Sequence, residues 1–423
     1  MLTQRRRFSL LAAMRANGLK AGASPWRTAA GAVLLISFLS GCTPAGSTKT
    51  VTLWHPWGGA ELAALKEAIK AYQAENPGTE IIALQVPSDR LQDKYLRSAA
   101  ANGGPDLLIG ATDWIGKFAQ SDVVAPLDDQ IPEPQLQRYQ NVALSALRYK
   151  GKLYALPESL ETVALYYNKA MLPSGPPKTI DSMFIRANSR DYWNGEYLLA
   201  YNTQFYFTAG YLFGWGGKLL DHEGQARVDS PGAVRWLSLL KTMREHPRFA
   251  VKSDYGYADA LFREKKAAMT INGPWALGDY KQVLGDDLGV APLPMVEDMV
   301  PAMPFVGIKC LMFNPNSTGE RRKQALDFAN YFTSAPNMTR MLDMAGHVPA
   351  IKGLPIPDDH PLAAFERQAK WGTPLPPDPE MKEVWTPMDK AIEEVLTGMN
   401  PPPKAIANAQ SLIQAKIEAV RKQ

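Results

Sequence analysis

The chain has 423 residues, with 46 basic and 42 acidic side chains and a net charge of +4. Six of those basic residues (Arg5, Arg6, Arg7, Arg15, Lys20 and Arg27) lie in the first 27 positions, so removing them leaves the remainder near −2, with no basic patch for nucleic acid. Two cysteines and five scattered histidines offer no zinc spacing, so neither a metal nor another cofactor is expected.

The first segment reads as an export leader. Arg5 to Arg7 precede an apolar stretch from Ala29 to Leu39, which ends in Leu39-Ser40-Gly41-Cys42. About 11 apolar residues fall well short of the roughly 20 that a helix needs to cross a bilayer. Residues 1–41 are therefore expected to be a signal peptide rather than a membrane span. The ending resembles the bacterial lipobox, whose cysteine carries lipid, which makes Cys42 the expected lipidated residue. Met14 would serve equally as the start. Residues 42–50 are small and polar, a tether between lipid and domain. With Cys42 lipidated, Cys310 stands alone and no internal disulfide can form. It is read as a small core residue.

Beyond the tether about 370 residues remain, enough for two domains of ordinary size. Val51 to Trp54 is a short strand. Glu61 to Glu75 is an amphipathic helix, with Leu62, Leu65, Ile69 and Tyr72 at helical spacing, stopped by Asn76-Pro77-Gly78. Glu80 to Val86 is a second strand, Arg90 to Ala101 a second helix, Asp106 to Ile109 a third strand, and Ile115 to Gln120 begins a third helix. This alternation predicts a parallel sheet flanked by helices, an α/β fold. Ligands on such sheets sit beyond the carboxyl ends of the strands. There the chain places His55-Pro56-Trp57-Gly58-Gly59 and Gly110-Ala111-Thr112-Asp113-Trp114. Further on, Glu158 and Glu161 fall in a loop around Pro157, and Thr162 to Tyr167 is an apolar strand. Helices follow at 233–245 and 258–266, and a strand at 266–271 ends in Asn272-Gly273-Pro274-Trp275. Val290 to Pro304 reads as a crossing linker and 321–333 as a helix. Pro349 to Pro379 is loop-rich, and 405–422 is a C-terminal helix.

Aromatic placement carries the chemistry. Trp54, Trp57, Trp114, Trp215 and Trp275 all fall at predicted strand ends or glycine turns. A sugar ring presents an apolar C–H face to a flat aromatic and a rim of hydroxyls to carboxylates. Asp113, Glu158 and Glu161 supply such acceptors, and binding pockets are mostly apolar with a few placed polar groups.

Four blocks in order resemble the sugar-binding proteins of ABC importers, the group that includes maltose- and trehalose-binding proteins. They are Gly104-Pro105-Asp106-Leu107 through Asp113 to Pro126-Leu127-Asp128; Gly151-Lys152-Leu153-Tyr154-Ala155-Leu156-Pro157 through Tyr166-Tyr167-Asn168-Lys169; Gly214-Trp215-Gly216-Gly217; and Ala267 to Trp275. Ala345-Gly346-His347-Val348-Pro349 adds a fifth. The resemblance implies a two-lobe periplasmic-binding-protein fold of type II, with mixed sheets hinged about a central cleft. Lobe 1 would take 51–157 and 301–340, and lobe 2 would take 158–300 and 341–423. It also implies ligand contacts from His55, Trp57 and Gly58; from Asp113 and Trp114; from Glu161; from Tyr206 and Phe207; and from Trp275. Trp215 joins them from its glycine turn and Trp371 from its loop beside Gly372. His347 is read as a satisfied loop histidine.

The expected protein is a monomer that captures a di- or oligosaccharide, or a glucoside, and delivers it to the transmembrane subunits of an ABC permease. It would sit on the periplasmic or cell-surface face of the cytoplasmic membrane, anchored through Cys42. Alternatives are a non-sugar solute, delivery to a chemoreceptor, or a glycoside hydrolase, which needs two carboxylates about 5–10 Å apart. Phe305-Val306-Gly307-Ile308-Lys309 departs from the family's usual glycine pair. Ile180 to Tyr192, with Arg186, Arg190 and Asp191, departs from the plain helix expected there.

Overall fold

The computed structural model describes residues 49–189 and 195–422. The expected signal peptide, Cys42, most of the tether, and Arg190, Asp191 and Tyr192 lie outside the described residues.

In the first half, strands β1 (Lys49–His55), β2 (Thr79–Gln85) and β3 (Leu107–Ala111) alternate with helices α1 (Gly59–Glu75), α2 (Ser88–Ala100) and α3 (Ile115–Gln120). Short helices α4 (Glu133–Leu136) and α5 (Asn141–Ala146) and a hairpin, β4 (Arg148–Tyr149) with β5 (Lys152–Leu153), lead into β6 (Ala155–Glu161). The second half runs β7 (Ala164–Asn168), α6 (Ile180–Asn188), β8 (Tyr197–Asn202), α7 (Phe205–Gly214), α8 (Pro231–Glu245), β9 (Phe249–Lys252), α9 (Tyr255–Arg263), β10 (Ala267–Asn272), α10 (Leu277–Leu284) and β11 (Leu288–Ala291). The chain then returns through β12 (Phe305–Phe313), α11 (Gly319–Phe332), α12 (Ala335–Ala345), β13 (Val348–Pro349), α13 (Pro361–Ala369) and β14 (Thr373–Pro374). It closes with α14 (Lys382–Leu396) and α15 (Pro402–Arg421).

Two mixed sheets result. The first has the order β13-β6-β12-β3-β1-β2, with β14 beside β12; the second has the order β11-β7-β10-β8-β9. Strands β1, β2 and β3 are parallel, as the βαβ alternation requires, and β12 enters antiparallel between β3 and β6. One large buried core gathers around the first sheet and takes in Ala164 and Tyr166 of β7 and Leu288 of β11, a second gathers around the second sheet, and a small cluster holds Ala200, Ala250 and Ala267. The chain crosses from one sheet to the other through Thr162 and Val163, and back between Phe305 and Val306, which lie in different cores. Residue 341 does not mark a change of core. Met341, Leu342, Leu362 and Phe365 belong to the first of these cores, where Phe365 meets Tyr166 of β7 at 5.7 Å, and buried side chains rejoin the second core from Leu375 onward.

Local physics explains several departures from the sequence reading. Pro157, Glu158 and Glu161 do not form a loop but lie in β6. The register slips there, with Lys309 opposite Ser159 and Cys310 opposite Pro157, so Glu158 is the extra residue of a β-bulge. A bulge tolerates the proline that an unbroken central strand would exclude. Ile180–Asn188 is helical after all: Thr179 accepts from the Ser182 amide and Ser182 Oγ accepts from the Thr179 amide, a reciprocal cap. The supposed loop after Pro349 contains α13, whose Leu362 and Phe365 are buried. Cys310 is fully buried in β12, as a core residue.

Candidate functional site: a cleft between an ionic floor and an aromatic wall

Strand periodicity decides where the first-loop residues point. Val51, Leu53 and His55 occupy one face of β1 and are fully buried, so His55 turns into the core. Neither of its ring nitrogens has a hydrogen-bond partner among the described residues, and burial lowers its pKa, leaving the ring neutral. Trp57 is buried too, but it reaches the site: its indole meets the His347 ring edge-on at 5.4 Å. A Cβ on Gly58, extended ahead of α1, would sit 3.3 Å from Gln85 Nε2.

Two adjoining cavities mark the cleft. One of about 310 Å3 runs past Trp57, Gly110, Ala111 and Trp114; the other, about 230 Å3, lies among Ser159, Pro274, Trp275 and His347. Glu61, Glu161 and Lys309 line both. A larger hollow of about 410 Å3 lies between α14 and α15, remote from these groups. Of its lining, Glu394 accepts from Asn408, and from Asn400 outside it, and Ser411 donates to the Ala407 carbonyl.

The floor is a lattice of charges. Lys309 Nζ lies 2.9 Å from Glu61 Oε1 and 3.1 Å from Glu161 Oε1. His347 bridges Glu158 Oε1 through Nδ1 (2.8 Å) and Glu61 Oε1 through Nε2 (2.9 Å). Burial acts to lower the His347 pKa, but the charge of Glu158 and hydrogen bonds to Glu158 and Glu61 lift it to about 9. Burial would raise Glu61, yet His347 and Lys309 bring it down to about 2. At neutral pH His347 is therefore cationic and Glu61 anionic. Sequence reasoning missed Glu61 and Lys309 and dismissed His347, because the partners lie 248 and 286 residues apart.

Asp113 stands apart from the lattice. Its carboxylate is water-accessible, but the protein around it raises its pKa against a partial offset from its own backbone amide, and Glu161 adds repulsion. The opposite wall is aromatic. Tyr206 stacks on Phe305 at 6.1 Å and lies 6.4 Å from Trp275 and 6.5 Å from Trp385. Phe207 meets the Trp275 ring edge-on at 6.4 Å. Burial, then the charges of Glu161 and Asp113, hold the Tyr206 hydroxyl protonated. Trp385 arrives because its helix is tied to α7: Asp389 accepts from the Phe205 amide at 2.7 Å, at a helix N-terminus.

Glycines let two indoles fold back over the backbone. A Cβ on Gly273 would sit 2.0 Å from the Trp275 ring, and one on Gly110 would sit 2.7 Å from that of Trp114. Trp275 is 46% exposed, an uncovered ring at the mouth of the cleft. Besides His55, two predicted residues make no contact with the cleft aromatics among the described residues. Trp215 donates to Glu297 and lies under Arg235. Trp371, beyond α13, has no ring contact with the cleft aromatics among the described residues.

Residues 67–364 match the family model described as bacterial extracellular solute-binding protein. The chain is 33% identical over 365 residues to the maltotriose-binding protein of Pyrococcus abyssi, covering 83% of this chain and 78% of that one. It is 25% identical over 374 residues to the galactooligosaccharide-binding protein of Bacillus subtilis, covering 84% and 87%. The solved maltotriose-binding protein of Thermus thermophilus, bound with maltotriose, superposes with a TM-score of 0.71 at 29% identity, covering 87% of this chain and all of that one. The architecture is the type II periplasmic-binding-protein fold, and this chain belongs to the bacterial extracellular solute-binding protein family, a solute-binding and non-catalytic family.

Proposed function

We propose that this protein is the receptor of an ABC importer for a neutral oligosaccharide of two or more rings, and that it hands the sugar intact to the permease's transmembrane subunits. The observation that carries the reading is the pairing of walls. Carboxylates held by ion pairs (Glu61 and Glu161), with Asp113 beside them, face Trp275 across adjoining cavities, and Trp275 packs with Tyr206, which lies beside Trp385. Rings stack on the second wall while hydroxyls are read by the first. Closure about the crossings at 162–163 and 305–306 would bring the two together, driven by the ligand's greater affinity for the closed state. Maltotriose and galactooligosaccharides, named for the two relatives above, are the first candidates. Lipid on Cys42 would hold the monomer at the outer face of the membrane; stable attachment takes more than one acyl chain.

A thermal-shift panel of maltotriose, maltotetraose, galactooligosaccharides, trehalose, polyols and amino acids tests the reading. A sugar at about 100 times its dissociation constant adds roughly 2.7 kcal/mol, enough to raise Tm by several degrees. The expected result is a shift with neutral oligosaccharides and recovery of the sugar uncleaved by chromatography. A flat response to every sugar, or release of shorter products, would overturn it.

A further inference from the structure

The cleft holds an unequal set of charges. Four carboxylates (Glu61, Glu158, Glu161 and Asp113) act in it against two cations, Lys309 and His347. His347 is committed to Glu158 and Glu61 and is 6% exposed, so it cannot turn to a ligand. Lys309 differs. It projects from β12, the central strand of the first sheet, in register with Ala111 on one side and Ser159 on the other. Its ammonium lines both cavities and joins Glu61 on α1 to Glu161 at the end of β6, one residue before the crossing. Directly beside it, Ser159 Oγ is buried on the cavity lining with no hydrogen-bond partner among the described residues.

We infer that Lys309 is a specificity-determining and positioning residue, which sets the charge of the cleft so that neutral sugars are accepted in preference to amine-bearing ones. The inference rests on the oligosaccharide reading above. Without the ammonium, Glu61, Glu161 and Asp113 would face the same space with only His347 to balance Glu61 and Glu158. Paired carboxylates short of a counter-charge favour a cationic ligand, whereas carboxylates fixed by an ion pair present directed acceptors to hydroxyls. The lysine thus acts in two senses. It orients Glu161 for a neutral sugar, and it repels an ammonium placed between Glu61 and Glu161. An uncharged side chain of similar length keeps the packing but loses both.

The test is calorimetric titration of the whole protein with maltotriose and with a maltotriose carrying one amine in place of a hydroxyl. Lys309→Met is expected to weaken maltotriose binding and to shift the affinity ratio on the order of tenfold toward the amine, the scale of one unit charge removed at a partly exposed site. Lys309→Arg should restore the wild-type ratio. Glu61→Gln should move it in the opposite direction, which keeps the inference testable if Lys309→Met does not fold. A purely structural lysine would lower both affinities by the same factor and leave the ratio unchanged, and that result would overturn the inference. If the wild type bound neither sugar, the oligosaccharide reading would fall and this inference with it.

Discussion

The two walls of the cleft do different kinds of work. The floor on the first sheet is ionic, inward-facing and cross-braced, and each of its two cations touches two carboxylates. The opposite wall is aromatic, and its outermost ring, Trp275, is nearly half exposed. An ion pair buried in a folded lobe cannot lose one partner cheaply, since the other charge is left desolvated. A ring at a cavity mouth can be removed with little harm to the fold. The floor should therefore couple binding to stability, and the wall should affect binding alone.

That contrast is open to experiment. The largest effect is expected from Glu158→Ala, which takes from the buried His347 cation its fully buried partner and leaves it Glu61 alone. The loss should be about 3–5 kcal/mol in urea unfolding. A loss under 1 kcal/mol would mean that the lattice does not brace the lobe.

The pH profile comes next. His347 has a pKa of about 9 in the fold against 6.5 unperturbed, so its contribution is complete below pH 6.5 and is lost as pH rises through 9. At about 1.4 kcal/mol per unit this amounts to roughly 3 kcal/mol. Glu61 has the opposite sign. Its pKa falls from 4.5 to about 2, so its contribution holds above pH 4.5 and is lost as pH falls through 2. Both limbs report one network and are not summed. Stability should be greatest between about pH 4.5 and 6.5, and His347→Gln should flatten the alkaline limb.

Third, Trp275→Ala and Glu161→Gln should each weaken sugar binding by about 1–3 kcal/mol. Trp275→Ala should at the same time leave unfolding within about 0.5 kcal/mol of wild type. The smallest effect is expected at the two aromatics outside the cleft. Trp371→Ala and Trp215→Ala should change sugar affinity by less than about 0.5 kcal/mol, as surface substitutions do.

The same contrast governs what the sequence made legible. The βαβ alternation of the first sheet could be read directly, because helical and strand periods are local. Asp113, Tyr206 and Trp275 stand in motifs at strand or helix ends, and the fold brings them to one cleft. The ionic floor was hidden. Lys309 lies within an apolar strand and Glu61 in a helix first turn, and nothing local marks either as half of a pair that only the assembled sheet creates. Glu158 was noticed but placed in a loop, because proline was read as a break where a bulge accommodates it. The aromatic rule is uneven. Trp215 and Trp371, at glycine turns, make no ring contact with the cleft aromatics among the described residues, whereas Trp385, inside a helix, joins them because Asp389 docks α14 on α7. A turn is visible in sequence, but the direction it faces is not.

The most direct test of the central claim is calorimetric titration of wild type, Trp275→Ala, Glu161→Gln and the double variant with maltotriose. The sugar should bind wild type with 1:1 stoichiometry, and the two losses should combine in the double variant to within about 0.5 kcal/mol of their sum, as for groups on opposite faces of one ligand. Wild-type affinity retained in the double variant would contradict the account, because the sugar would then lie outside this cleft.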